Sequence, residues 1–152
     1  MKPTVLFFII CIAIIATSCK TTKQSSYNKK LAEQLGADEY GMRTYQLVIL
    51  KTGKTIINDK DSVSKIFRGH LDNITKLADA GKLIIAGPFG KNDHNFRGLY
   101  IFKTNKAETE TLLQTDPAIR SGLLTPEVYP WYGSAALEMY LPYSKQIEKV
   151  AP

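Results

Sequence analysis

The sequence predicts a single small α+β domain, and three observations carry that expectation. Residues 45–50, YQLVIL, are a β-branched and apolar run that stops at Thr52-Gly53, which reads as a strand. Val63, Ile66, Phe67, His70, Leu71, Ile74, Leu77 and Ala78 recur at helical spacing, which reads as an amphipathic helix. Residues 83–88 and 98–103 are two more apolar runs around the polar turn 91–95, which reads as a β-hairpin with a longish loop.

Local signals punctuate these elements in order. Asp61-Ser62 offers the cap of the first helix and Gly81 its stop. Pro88 closes the second strand. Asn105, with Glu108 three residues on, is a capping box for a second helix over 107–114. Asp116-Pro117 opens a further short helical turn that Gly122 closes. Residues 127–132 and 136–140 are expected as two extended pieces that finish the sheet. The order β, α, β, β, α, β is that of the ferredoxin-like split βαβ motif, with an antiparallel sheet and two helices on one face. The strands are apolar at both alternating sets of positions, while the sequence offers no element for the second sheet face. An uncovered apolar face predicts a partner. Two such sheets stacked face to face make a homodimer of the dimeric α/β-barrel type.

The N-terminus reads as an export signal. Lys2 precedes an apolar run over 5–15, shorter than the roughly 20 residues of a spanning helix. The small residues Ala16-Thr17-Ser18 then lead directly to Cys19, whose thiol would accept a lipid. The pattern resembles the looser lipobox of Bacteroidetes-type lipoproteins. An uncleaved N-terminal anchor is the alternative, and either one tethers the domain to a membrane. No acidic residue follows in 20–24, which favours a periplasm-facing anchor in the cell envelope over a surface-exposed one. The resulting division is a signal peptide at 1–18, a flexible tether at 19–41, a domain at 42–142 and a C-terminal tail at 143–152. Within the tether, residues 31–35 could form one helical turn.

Charge and composition exclude several classes. The net charge is +6 over 152 residues, much of it in the tether at Lys20, Lys23, Lys29 and Lys30. A basic tether suits an anionic membrane. The domain lacks a basic helix face, so nucleic acid is not an expected partner. Both cysteines, Cys11 and Cys19, precede the domain, which therefore has no disulfide, thiolate nucleophile or thiolate metal site. With two histidines and no recognisable ligand spacing, no metal site is expected. No phosphate loop or nucleophile elbow occurs, and no cofactor is expected.

Five short motifs carry a resemblance. They are Arg68-Gly69-His70-Leu71, Ala80-Gly81-Lys82-Leu83, Ala86-Gly87-Pro88-Phe89, Thr115-Asp116-Pro117-Ala118 with Gly122 following, and Tyr129-Pro130-Trp131-Tyr132-Gly133. In order and spacing they resemble the YCII-related (YciI-like) family, over roughly residues 43–137. The resemblance implies a ferredoxin-like fold, a dimer, and a cleft holding a His and an Asp. Some members look like enzymes acting on ring-derived or lactone substrates, others like small binding modules. Close relatives often carry His before the Pro-Trp pair, where this chain has Tyr129, which removes one acid/base or metal partner.

His70 and Asp116 are the candidate catalytic pair. His70 falls on an otherwise apolar helix stripe, where a polar ring requires a hydrogen-bond partner. It is either a structural histidine bonded to a backbone carbonyl or a proton carrier at a cleft. Asp116 is either the cap of its turn or the group that orients His70, and the roles can coexist. Gly69 costs about 1 kcal/mol relative to alanine inside a helix, so something should require its missing side chain. Arg68 and Arg97 could neutralise an anionic ligand, or serve solubility. Phe89 and Trp131 are candidate pocket walls or ordinary core. His94 reads as an exposed loop residue.

Two function classes follow. One is a non-catalytic lipoprotein domain that binds a small organic molecule or a protein. The other is an enzyme using His70 as general acid/base in a proton-transfer, isomerase or elimination step. The lipid reading predicts that Cys19→Ala accumulates unprocessed precursor and incorporates no labelled lipid. Normal trimming and lipidation of that variant would refute it.

Overall fold

A computed structural model describes residues 26–150; the signal segment, Cys19 and the start of the tether lie outside the described residues. The chain runs α1 (Lys29–Leu35), β1 (Met42–Thr52), α2 (Lys60–Asp79), β2 (Leu83–Pro88), β3 (Phe96–Phe102), α3 (Lys106–Leu113), α4 (Pro117–Arg120) and β4 (Leu124–Ser134). A 3-10 helix (Ala135–Tyr140) and α5 (Leu141–Ile147) follow. The four strands form one antiparallel sheet in the order β2-β3-β1-β4. This is the expected ferredoxin-like βαββαβ arrangement, with further helices at both ends.

Capping sets the helix ends. Asp59 caps α2 by accepting from the Ser62 N–H, so the helix starts earlier than Asp61-Ser62 suggested. Asp61 lies instead in the first turn, where its charge suits the helix dipole. At the other end Gly81 takes φ +65°, the Gly81 N–H bonds the Ala78 carbonyl and the Lys82 N–H bonds the Leu77 carbonyl. That is the left-handed stop that glycine allows. Asn105 caps α3 through the Glu108 N–H, as expected.

Alternation along β1 divides the core in two. Val48 and Leu50 face the helices and pack with Tyr100, Phe102, Leu83, Leu77 and Leu113. Tyr45 faces the other way and packs with Ile84 and Ile101. The expectation of an uncovered second face is corrected in part. Residues 136–140 are not a strand but belong to the 3-10 helix, whose Leu137, with Leu141 of α5, packs on Tyr45, Ile84 and Ile101. Ser134 starts that helix by accepting from the Ala136 N–H. Leu47, Ile49 and Leu99 on the same face are only half-buried. The final strand takes up all its pairing in one piece, Leu124 to Ser134 against the full length of β1. Pro126 and Pro130 are tolerated there because β4 is an edge strand.

The chain ends also differ from a bare tether and tail. Asn28 caps α1, Gly36 closes it in the left-handed conformation, and the Arg43 guanidinium donates to the Leu35 carbonyl at 2.9 Å. The segment expected as a flexible tether therefore contains a docked two-turn helix. Likewise α5 occupies the start of the expected tail, and its Lys145 pairs with Asp79 of α2. Among the described residues no helix is long and apolar enough to cross a membrane.

Candidate functional site

The site forms where α2, α4 and β3 meet on the helix-covered face. Asp116 precedes α4 and is 1% exposed. A buried carboxylate needs its lone pairs satisfied. Its Oδ1 accepts the Ala118 N–H at 2.8 Å, which caps α4. Its Oδ2 lies 2.7 Å from His70 Nδ1. Cap and orienting group thus coexist in one side chain. His70 is bonded to this carboxylate and not to a backbone carbonyl.

Gly69 explains how the pair comes so close. A Cβ at Gly69 would meet the Pro117 ring at 3.0 Å, so the missing side chain lets α2 approach the start of α4. The close approach that its place in a helix called for is thus to a neighbouring helix. Pro117, preset for the first helical position, is the surface against which that approach occurs.

Tyr100, on the helix-facing side of β3, is the member that sequence reasoning missed. Its hydroxyl lies 3.4 Å from Asp116 Oδ2 and 3.5 Å from both ring nitrogens of His70, and its ring stacks beside the imidazole. The available signal was a phenol on an apolar strand, since a buried Tyr hydroxyl requires a partner. Burial pushes the Tyr100 phenol far above its ordinary 10.0, and the charge and hydrogen bond of Asp116 push it further. Tyr100 is therefore a donor in this cluster and not a base.

The arrangement fixes a tautomer. With Oδ2 accepting, the proton of a neutral His70 belongs on Nδ1, which leaves Nε2 with a lone pair. His70 lines a cleft of about 330 Å³ with Phe67, Leu71, Ile74, Pro88, Arg97 and Leu124. Its side chain is 12% exposed, so it is covered but reachable. Asp116 stands behind it, outside the lining.

The other candidates separate. Arg97 lines the cleft. Arg68 is exposed on α2 and is not part of the lining. Phe89 lines an adjoining hollow at the β2–β3 loop, with Asn92 and Phe96, which shares Pro88 and Arg97 with the cleft but not His70. Trp131 is corrected as a wall of the His70 cleft: it pairs with Tyr45 and its ring lies tilted against that of Tyr45, on the opposite face of the sheet. Its ring lies over Gly133, where a Cβ would come within 2.3 Å of it. Tyr129 lies on that opposite face too, its hydroxyl donating to Glu127, which pairs with Lys51. His94 is exposed and contacts the Phe96 ring. Among the described residues no group of three potential metal ligands occurs.

Fold and site together define a ferredoxin-like α+β domain with a buried Asp holding a His in the wall of a cleft. No protein-family model matches the chain. No curated protein matches it either. Among solved structures it is similar to 5-chloro-2-hydroxyhydroquinone dehydrochlorinase (TftG) from Burkholderia phenoliruptrix AC1100, in complex with 2,5-dihydroxybenzoquinone. The identity is 19%, over 57% of this chain and 92% of that chain, with a TM-score of 0.41.

The Tyr100 environment predicts an alkaline limit to stability. Its folded value lies above the unfolded 10.0, so its contribution is whole below 10.0 and declines as pH rises beyond it. The unfolded chain then loses a proton that the folded chain keeps, at up to about 1.4 kcal/mol per pH unit. Urea denaturation of the wild type and Tyr100→Phe, near neutrality and above 10.0, checks this. The variant should show a shallower alkaline decline, and an equal decline would contradict the assignment.

Proposed function

We propose that this domain binds a small organic molecule in the His70 cleft and that the His70–Asp116 pair moves a proton on it. The observation that carries the reading is the 2.7 Å contact between His70 Nδ1 and a fully buried carboxylate. A histidine held only for packing does not need a buried acid behind it. A proton carrier gains three things from one: a fixed ring orientation, a fixed tautomer and a stabilised imidazolium. Nε2 takes a proton from the bound molecule, and the imidazolium returns it to another atom of that molecule or to water. Arg97 at the cleft supplies a charge for an anionic group on the ligand. The apolar lining selects a compact, largely hydrocarbon body. The departure at Tyr129 from the YCII-related pattern favours a second reading, a binding module of that family without turnover.

The wider setting is part of the same proposal. The chain is a YCII-like lipoprotein domain, tethered through lipidated Cys19 and facing the periplasm. It pairs with a second copy through the part of the sheet face around Leu47, Ile49 and Leu99, which α5 and the 3-10 helix leave open. A biological contact of this kind should bury at least about 1,000 Å². Sedimentation of the full chain should then give twice the monomer mass at micromolar concentration, and Ile49→Asp should return it to the monomer. A wild type that sediments as a monomer would rule the pairing out.

Proton transfer can be measured before the substrate is identified. A panel of small carbon acids is incubated with the protein in deuterated water, and NMR follows deuterium incorporation. Catalysed exchange is expected for some members, falling by about 10²–10⁴-fold in His70→Asn. Asp116→Asn should keep the helix cap, because Asn caps about as well as Asp, yet lose much of the exchange. Exchange that survives His70→Asn would refute the role given to His70. An absence of exchange across the panel, with a ligand still retained in native mass spectrometry, would favour the binding-only reading.

A further inference from the structure

The His70 cleft does not end at its own lining. His70, Ile74 and Ala78 recur every four residues on α2 and so form one row on the helix surface. Beside that row runs β2, an outer strand of the sheet. Ile74 and Ala86 line the His70 cleft, and the same two residues line a second, larger groove of about 490 Å³. That groove continues past Ala78 and Ile84 to Leu141 and Ile147 of α5. The Lys145–Asp79 ion pair ties α5 to α2 along it. The two spaces are therefore consecutive lengths of one trough between α2 and β2. From His70 to Ala78 it follows α2 for about 12 Å.

Several of the polar groups along the groove already have partners, and Tyr140 and Glu148 line it at its α5 end. The Thr75 hydroxyl donates to the Leu71 carbonyl and the Ser144 hydroxyl to the Leu141 carbonyl. Lys145 and Asp79 neutralise each other. The groove is thus walled chiefly by aliphatic side chains, with the Lys145–Asp79 pair and Glu148 at its α5 end, whereas His70 and Arg97 stand at the other end. An amphiphile matches that division.

We propose that the groove under α5 is a tail subsite of the His70 site. Its ligand class is a small amphiphile, with an acidic head at His70 and Arg97 and an unbranched acyl or alkyl chain of medium length along α2. This rests on the reading of the His70 cleft as the binding site. The tail subsite itself rests on the shared walls Ile74 and Ala86 and on the cover that α5 provides.

The test uses the full-length chain in lipid nanodiscs, photolabelled with diazirine-terminated hexanoate or dodecanoate and mapped by peptide mass spectrometry. The dodecanoate probe should mark α5 and the stretch around Ala78, and the hexanoate probe only residues around the His70 cleft. Unlabelled saturated carboxylates should compete better with length, by about fourfold per buried methylene until the groove is filled. Ala78→Trp should abolish dodecanoate labelling of α5 and spare hexanoate labelling; Ala78→Met, a milder filling, should weaken it if the Trp variant does not fold. Equal labelling of α5 by both probes, or dodecanoate labelling unchanged in a folded Ala78→Trp or Ala78→Met chain, would overturn the subsite. The exchange assay, run beside the labelling, separates the two readings. Chain-dependent labelling that persists while wild-type protein shows no proton exchange would remove the reaction and keep the subsite. Exchange that depends on His70, with no chain-dependent labelling, would do the reverse.

Discussion

The structure turns on the division of labour within one carboxylate. Asp116 is removed from water, and a buried charge is costly unless each oxygen finds a donor. One oxygen starts α4 by capping it, and the other receives the imidazole of α2. The Tyr100 hydroxyl of β3 approaches that second oxygen from the sheet. Two helices and a strand are thereby fixed relative to one another by groups that would each be unsatisfied alone. Removing the histidine would leave a half-satisfied buried acid, so the site and the packing around it are energetically linked. Gly69 belongs to the same device, because its missing side chain permits the separation at which the bond forms.

The second organising feature is the C-terminal segment. A ferredoxin-like sheet with apolar residues on both faces has one face without a helix layer of its own. Here the 3-10 helix and α5 cover the end near Tyr45, Ile84 and Ile101, and leave the middle near Leu47, Ile49 and Leu99 half-buried. Two ion pairs hold the segment down: Lys103, just past β3, with Glu138, and Lys145 with Asp79 of α2. The cover is thus tied both to the sheet and to the helix that bears His70. It extends one wall of the trough beside α2 and covers only part of that sheet face.

Much of the fold was legible because its signals are local. The apolar period of α2, the caps at Asn105 and Asp116, and the glycine at 81 are each written within a few residues. Errors fell where local signals were weak or ambiguous. Residues 136–140 carry alternating apolar groups that suit a strand, but β4 already pairs along the full length of β1 and Ser134 starts a helical turn. Residues 31–35 suggested a single helical turn, but the helix is two turns, Lys29–Leu35, and it docks. It is held by the single buried Leu35 and by Arg43, a contact with β1 that no helix-local rule contains.

The candidate site divides in the same way. His70 was conspicuous by itself, as a polar ring in an apolar stripe, and Asp116 by its place before a proline. Local pattern alone places both near the helix layer, His70 by the period of α2 and Asp116 by its place as the cap of α4. That the two converge was expected from the sequence; folding settled that they bond directly, that Tyr100 joins them, and that Trp131 and Tyr129 lie on the other face. Strand alternation sends a residue to one face or the other according to register, and a register is set by pairing with a distant strand. The trough beyond His70 has the same origin, since its walls come from α2, β2 and α5, which are far apart in the chain and meet only on folding.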